Sequence, residues 1–254
     1  MVEDIKVEGY LEGKNAVVTG AAQGIGNAIA CEIARRGANV AILDINEEKA
    51  KLAAKEIEKY GTKVFFFLCD ITNYEQLEKT FLKINEIFGG IHILVNNAGI
   101  NKRKPLQDLT KAEWDAEIAV NLSAIFYCSK IAAEYMVKQR EGWIVNIASF
   151  KAKESATSPG YTASKHGVLG LTKNFAKDLI KYNIHVNAVS PGPTETDMAK
   201  LWDDKTRQKY VSQIPRGRLG QPEDIAYVVS FLCSPYADFI VGASIDVNGG
   251  YLMF

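Results

Sequence analysis

Tyr161 and Lys165 stand four residues apart, so a helix through SPGYTASKHGV brings a phenol and an ammonium to one face. A free tyrosine titrates near pH ~10. Acting as a base near neutrality requires a downward shift of about three units, worth roughly 4 kcal/mol. One ammonium ~4 Å away at an effective dielectric of ~20 supplies about that much, although burial of the phenolate opposes it. Ser149 lies twelve residues upstream of Tyr161, at the end of the apolar run WIVNIAS. There its hydroxyl can hydrogen-bond the oxygen of a reacting group and stabilise charge on it. A tyrosine and lysine at this spacing are also common on helix surfaces, so the neighbouring motifs decide their meaning.

A second constellation is TGAAQGIG, residues 19–26, which follows the apolar run NAVVT and opens a helical pattern. Gly20, Gly24 and Gly26 suit a tight turn, close approach of the backbone to a pyrophosphate, and packing of helix on sheet. With Gln23 and Ile25 they form the expected phosphate-binding turn of a dinucleotide site. Asp44 ends the next strand eighteen residues past Gly26, close to the roughly 20 at which a carboxylate meets the adenosine ribose. It would repel a 2′-phosphate, and neither the turn nor the two residues after Asp44 contain Arg or Lys, so NAD(H) is expected over NADP(H). Asp70, followed by Ile71, ends the third strand similarly and is expected either to meet the adenine or to cap a helix. Asn96, Asn97, Ala98 and Gly99 end the fourth strand as a polar and small cluster open to a ligand.

The elements that must position these residues alternate regularly. Strands are expected at NAVVT, ANVAILD, KVFFFLCD, IHILVNN, WIVNIAS, IHVNAVS and ASIDVNG. Helices lie between them, including one after Asn46 as N-cap, one over 73–88, one long or two over 111–140, one over 160–181 and one over 222–233. This predicts an α/β fold over residues 1–254, a single domain with a Rossmann-type, doubly wound, seven-stranded parallel sheet covered by helices on both faces. Ligands in such sheets sit beyond the carboxyl ends of the strands, where the residues above fall. Residues 193–220 form the longest segment without an expected strand, polar apart from Leu201, Trp202 and Tyr210, and suit a substrate lid.

Composition narrows the function. The 254 residues carry 30 basic and 30 acidic side chains, which disfavours a nucleic-acid partner. The opening MVEDIKVEGYLEGK is too charged for a secretory signal, and no run approaches the roughly 18 apolar residues of a membrane span, so a cytoplasmic protein is expected. Cys31, Cys69, Cys128 and Cys233 contain no CxxC pair and are read as free thiols. His92, His166 and His185 form no spaced cluster, and no metal is expected.

Together these motifs resemble the short-chain dehydrogenase/reductase family along essentially the full length: TGAAQGIG, Asp44, CD at 69–70, NNAG at 96–99, Asn121 in AVNLS, Ser149, YTASK at 161–165, SPGPTET at 190–196, and RLGQPEDIA before the last strand. The resemblance implies a nicotinamide cofactor and a tetrad of Asn121, Ser149, Tyr161 and Lys165. In it, Lys165 lowers the Tyr161 pKa and holds the cofactor ribose, helped by the charge of the oxidised nicotinamide, and Asn121 holds a proton-relaying water. It also implies that Thr194 and Thr196, after Pro191 and Gly192, meet the carboxamide. The family commonly spaces its Ser and Tyr by about thirteen residues, where Ala148 stands here. Ser149 is assigned because it ends the strand.

Basic residues flank the expected site: Lys102, Arg103 and Lys104 on one side, Lys151 and Lys153 on the other. They suit an anionic small molecule, with Arg103 and Lys151 as contacts, and a sugar acid or polyol, gluconate-like, as substrate. The alternatives are a 3-oxoacyl carrier-protein reductase and, from another class, a catalytically inactive NAD-binding sensor. A homotetramer is expected from the family and from the apolar C-terminal stretch FIVGASIDVNGGYLMF.

Overall fold

The computed structural model describes residues 9–197 and 199–253; most of the acidic leader (1–8) and the C-terminal Phe254 lie outside the described residues. The strands are β1 (Asn15–Thr19), β2 (Asn39–Asp44), β3 (Val64–Leu68), β4 (Ile93–Asn96), β5 (Gly142–Ile147), β6 (Ile184–Pro191) and β7 (Ser244–Val247). All pair in parallel, in the order β3-β2-β1-β4-β5-β6-β7. β1, β4, β5 and β6 are buried along their whole length, as expected of continuous apolar runs with both sheet faces covered.

Alternate residues of each strand feed opposite layers. Ala16, Val18, Val40, Ile42 and Val95 pack with α1 (Gly24–Arg35), α2 (Glu47–Ile57) and α8 (Pro222–Leu232). Val17, Ala41, Leu43, Leu94 and Val186 pack on the other side with α3 (Tyr74–Phe88) and α5 (Ala124–Gln139). Helix starts follow their capping residues: Asn46 accepts from Lys49 N–H, Asn73 from Gln76 N–H, and Thr110 and Glu113 form a capping box opening α4 (Lys111–Ile118).

Three features add to the sequence reading. The helix over 111–139 is continuous, but α4 and α5 are joined by a widened π turn, Ala119–Ser123, with Asn121 inside it. Such bulges recur at functional sites. Among the described residues this is also the one helix that is long and apolar enough to cross a bilayer. It packs instead as a core helix, burying Ile125, Cys128, Ile131 and Met136. Residues 193–220 contain α7 (Asp204–Gln213), capped by Asp203 accepting from Thr206 N–H.

The sheet order turns back at β1, which lies between β2 and β4, and the two strand ends splay to open a crevice. Thr19, 1% exposed, ties that point together: its Oγ1 accepts from the N–H groups of Asn97 and Ala98, both at 3.1 Å. Asn97 Nδ2 returns two bonds, to the carbonyls of Thr19 and Gly20 at 3.0 Å. In Thr19→Val the shape is kept and the shared acceptor is lost. The expected cost is about 2–6 kcal/mol in urea unfolding, from two part-buried donors at ~1–3 kcal/mol each. A loss under about 0.5 kcal/mol would show that the clasp is not what holds the crevice.

Candidate active site

A single cleft of about 1010 Å³ runs along the carboxyl ends of the strands. At its outer end is Asp44. Its carboxylate accepts from Ala22 N–H at 3.0 Å and Asn46 N–H at 2.9 Å, fastening the glycine turn to the end of β2. Asp70 lines the cleft beside Ile71, and its Oδ1 accepts from both the N–H and the hydroxyl of Thr72, the local turn weighed against an adenine contact. Gln23, Gly24 and Ile25 line the floor, where α1 begins. Unlike α2, α3 and α4, α1 has no side-chain cap, so its first N–H groups are left to the cleft.

Two glycines are required by contact. A Cβ on Gly26 would stand 2.2 Å from Gly20 O and 2.4 Å from Asn97 Nδ2; one on Gly20, already at φ +63°, would stand 2.8 Å from Ala98 Cα. These residues, with Asn97, Ala98 and Gly99 opposite, form a narrow backbone-lined trough that fits a pyrophosphate. Further along, Pro191, Gly192, Thr194 and Thr196 form the opposite wall. Thr194 Oγ1 donates to Gly192 O at 2.9 Å, and the Thr194–Gly220 bridge anchors this segment. Asn96, by contrast, does not face the cleft. It is buried in a polar chain, donating to Ser129 Oγ and Asn146 Oδ1, while Asn146 donates to Thr172 Oγ1.

At the inner end, the 21-residue helix α6 (Pro159–Leu179) carries Tyr161 and Lys165. Ser149, the residue after Ala148 at the end of β5, lines the cleft with Tyr161, and its hydroxyl acts to lower the pKa of that phenol; Ala148 has no hydroxyl to offer. The shorter Ser–Tyr spacing is absorbed in the connection between Ser149 and α6, where Phe150–Ala152 forms a single 3₁₀ turn. Asn121 lies just behind the wall. Its Oδ1 accepts from Ile100 N–H and its Nδ2 donates to Ile100 O, both at 2.8 Å, and Nδ2 also reaches Ser164 Oγ at 3.3 Å. That amide fixes the chain after Gly99 to α6.

Electrostatics depart from the simplest expectation. Lys165 Nζ lies 5.7 Å from the Tyr161 ring centroid and donates to Ile147 O at 2.7 Å. The Tyr161 pKa is raised: burial is the largest cause, and the Glu117 carboxylate adds to it. The Ser149 hydrogen bond and the Arg103 guanidinium act downward. Desolvation thus outweighs the neighbouring cations. The same burial pushes Lys165 down to about 8.

The flanking basic residues are largely answered locally. Lys104 pairs with Glu113 at 2.7 Å, Lys151 with Glu154 at 2.6 Å and Lys153 with Asp246 at 2.5 Å. Lys151 and Arg103 both line the cleft, with Arg103 in a left-handed backbone conformation (φ 57°). The local basic excess therefore gives little reason to expect an anionic substrate. Sequence reasoning gave no role to Lys49 or Glu117, and named Trp202 and Tyr210 only as apolar residues of the expected lid. Lys49 lines the outer cleft and is held by Gln23 and Asp197. The rings of Trp202 and Tyr210, tilted against each other with centroids 4.7 Å apart, also line the cleft. Glu117, in an unremarkable helical stretch, is fully buried beside Tyr161. Among the described residues, no group of three or more His, Cys, Asp or Glu could hold a metal.

A doubly wound sheet with a glycine trough at its switch point and a Ser, Tyr and Lys cluster at the inner end defines a nicotinamide-dependent oxidoreductase. The comparisons with known proteins agree. A family model described as enoyl-(acyl carrier protein) reductase matches residues 20–252. The chain is 42% identical to the 3-oxoacyl-(acyl-carrier-protein) reductase FabG of Aquifex aeolicus, over 94% of this chain and 98% of that protein. It is 40% identical to the protein of the same name from Thermotoga maritima, over 96% and 99%. A crystal structure described as a short-chain alcohol dehydrogenase of Sinorhizobium meliloti superposes with a TM-score of 0.92 at 35% identity, covering 96% of this chain and 98% of that one. The chain belongs to the short-chain dehydrogenase/reductase family and is an oxidoreductase acting on hydroxyl or carbonyl groups.

The buried ammonium has a signed consequence for the cofactor-free protein. Between pH about 8 and about 10.4 the unfolded Lys165 binds more protons than the folded one, so this group makes stability rise with pH there, by up to about 1.4 kcal/mol per unit. The unfolding free energy of wild type minus that of Lys165→Met should therefore increase between pH about 8 and 10. A flat difference would show that the ammonium is not desolvated.

Proposed function

We propose that this enzyme reduces a 3-oxoacyl group carried as a thioester, with Tyr161 as proton donor and NADH as the preferred cofactor. The observation that carries the reading is the meeting of Ser149, Tyr161 and Lys165 at the inner end of the cleft, a hydroxyl, a phenol and an ammonium placed to polarise a carbonyl and give it a proton. The names of the relatives support the same reading. The sugar-acid reading receives no support from them, and it loses its motive where Lys104, Lys151 and Lys153 are paired. The preference for NADH rests on Asp44, whose carboxylate would repel a 2′-phosphate at the ribose end; Lys49 nearby is already answered by Gln23 and Asp197.

The residues act in a short sequence. Asp44, the glycine turn and Thr194 would hold the dinucleotide, whose nicotinamide would supply hydride. Ser149 donates a hydrogen bond to the substrate carbonyl oxygen and favours the charge that develops there. Tyr161 gives its phenolic proton to that oxygen, completing the alcohol. Lys165 would hold the cofactor ribose and stabilise the phenolate left behind. Asn121 keeps the chain after Gly99 and helix α6 in register.

Purified protein with an acetoacetyl thioester should consume NADH faster than NADPH, read at 340 nm, and Tyr161→Phe should abolish turnover while leaving NADH affinity within a few fold. Undiminished turnover in the variant, or use of NADPH alone, would overturn the respective assignment.

A homotetramer in the cytoplasm accords with four free cysteines and with two apolar surfaces. One lies on α5 and α6, where Phe126 is 43% exposed beside Leu122 and Leu171; the other lies near the β7 edge, where Phe239 is fully exposed. Sedimentation equilibrium should give four times the chain mass, and a monomer would refute the assembly.

A further inference from the structure

Glu117 sits on α4 with no exposed surface, and two segments meet on its carboxylate. Oε1 accepts from Lys102 N–H at 2.7 Å, and Oε2 accepts from Ser158 Oγ at 2.5 Å. Ser158 occupies the N-cap of α6 and makes no capping bond with its side chain, because its hydroxyl is turned to Glu117. Gly160 makes room for the arrangement: a Cβ there would stand 2.4 Å from Oε2. The carboxylate therefore lies against the N-terminal turn of the helix that carries Tyr161, where the helix dipole favours negative charge.

Both tied segments form walls of the substrate end. Arg103 follows Lys102, and Ser155, Ala156 and Thr157 precede Ser158; all four line the cleft. A buried carboxylate is expensive, and apolar residues of similar volume usually serve stability as well. Stability alone is a weak reason for an acid here.

We propose that Glu117 is a positioning residue for the reduction, clamping the Lys102–Arg103 wall and the Ser158 wall to the first turn of α6 so that Tyr161 meets its substrate in a fixed frame. This rests on the reading of Tyr161 as proton donor. The charged and polar groups facing the phenol are Glu117 from α4, Arg103 from the first wall, Ser149 from the end of β5 and Lys165 from its own helix. Glu117 acts to keep the phenol protonated and Arg103 acts against it. Reduction is lost as pH rises through the Tyr161 pKa, so removing the carboxylate charge moves that loss to lower pH.

Glu117→Gln keeps the shape and one acceptor and removes the charge. In the cofactor-free, full-length protein, amide hydrogen exchange over residues 100–105 should accelerate about ten-fold as the Lys102 bond weakens. In turnover with an acetoacetyl thioester, the alkaline limb of kcat/KM should fall about half a pH unit earlier, with KM rising more than kcat changes. Ser158→Ala removes one tie and keeps the charge; it should raise KM several-fold and leave the limb in place. Exchange over 100–105 equal to wild type, or a Glu117→Gln limb coincident with wild type, would overturn the proposal. If Glu117→Gln does not fold, an unchanged KM in Ser158→Ala overturns it. The exchange arm needs neither substrate nor cofactor. A wild type that leaves the thioester untouched would thus overturn the substrate reading while the clamp is still judged on its own.

Discussion

The closest approach of backbone to backbone at the β1–β4 junction is the constraint on which the rest of the structure depends. Gly26 has no room for a single added carbon, because Gly20 O and Asn97 Nδ2 already occupy that space. The Thr19 hydroxyl and the Asn97 amide make the crowding favourable by giving each buried polar group a partner. From that point the geometry propagates outward. The glycine turn is fixed against Asp44 on one side and against the chain after β4 on the other. Asn121 then carries the register from Ile100 to Ser164, one residue before Lys165. The catalytic helix is thus aligned with the cofactor trough through a short series of amide and hydroxyl contacts, each made by a side chain that cannot be shortened without losing its bond.

Burial sets the chemistry at the inner end more strongly than charge does. A cation about 4 Å away in a solvated setting is enough to bring a tyrosine toward neutrality, but here the same low-dielectric surroundings penalise both phenolate and ammonium. The ammonium is tied to the Ile147 carbonyl, and two charges of opposite sign, Glu117 and Arg103, act on the phenol. A site balanced in this way holds its proton until a substrate oxygen arrives to take it. That is what the proposed reduction asks of its proton donor.

Much of this was legible in the sequence, for identifiable reasons. Strand positions followed from unbroken apolar runs, and helix starts from Asn46 and Asn73, because short-range pattern and capping are local properties. Each residue expected at the dinucleotide lines the cleft, since strand ends in this topology must converge there. What was hidden depended on distant partners. Asn96 sits in the same polar cluster as Asn97, yet one faces a buried helix and the other the glycine turn; alternation along the strand separates them, and only the register tells which is which. The π turn at Asn121 leaves no mark in composition. Glu117 reads as one more acid in a charged helical stretch, because its two donors come from residues 15 and 41 positions away.

Charge gives the clearest case of local structure reversing a linear impression. Lys104, Lys151 and Lys153 lie close in sequence to the site and form a basic run on paper, but each meets a carboxylate in the fold. With 30 acidic and 30 basic side chains in the chain, such pairing is available almost everywhere, and a short run of one sign carries little information about a ligand. Arg103 differs in where it points its influence. It lines the cleft, acts on Tyr161, and adjoins the Lys102 amide held by Glu117. The charge that bears on the reaction is therefore the one whose backbone is pinned, and position in the packed structure, not abundance in the sequence, decides which cation takes part.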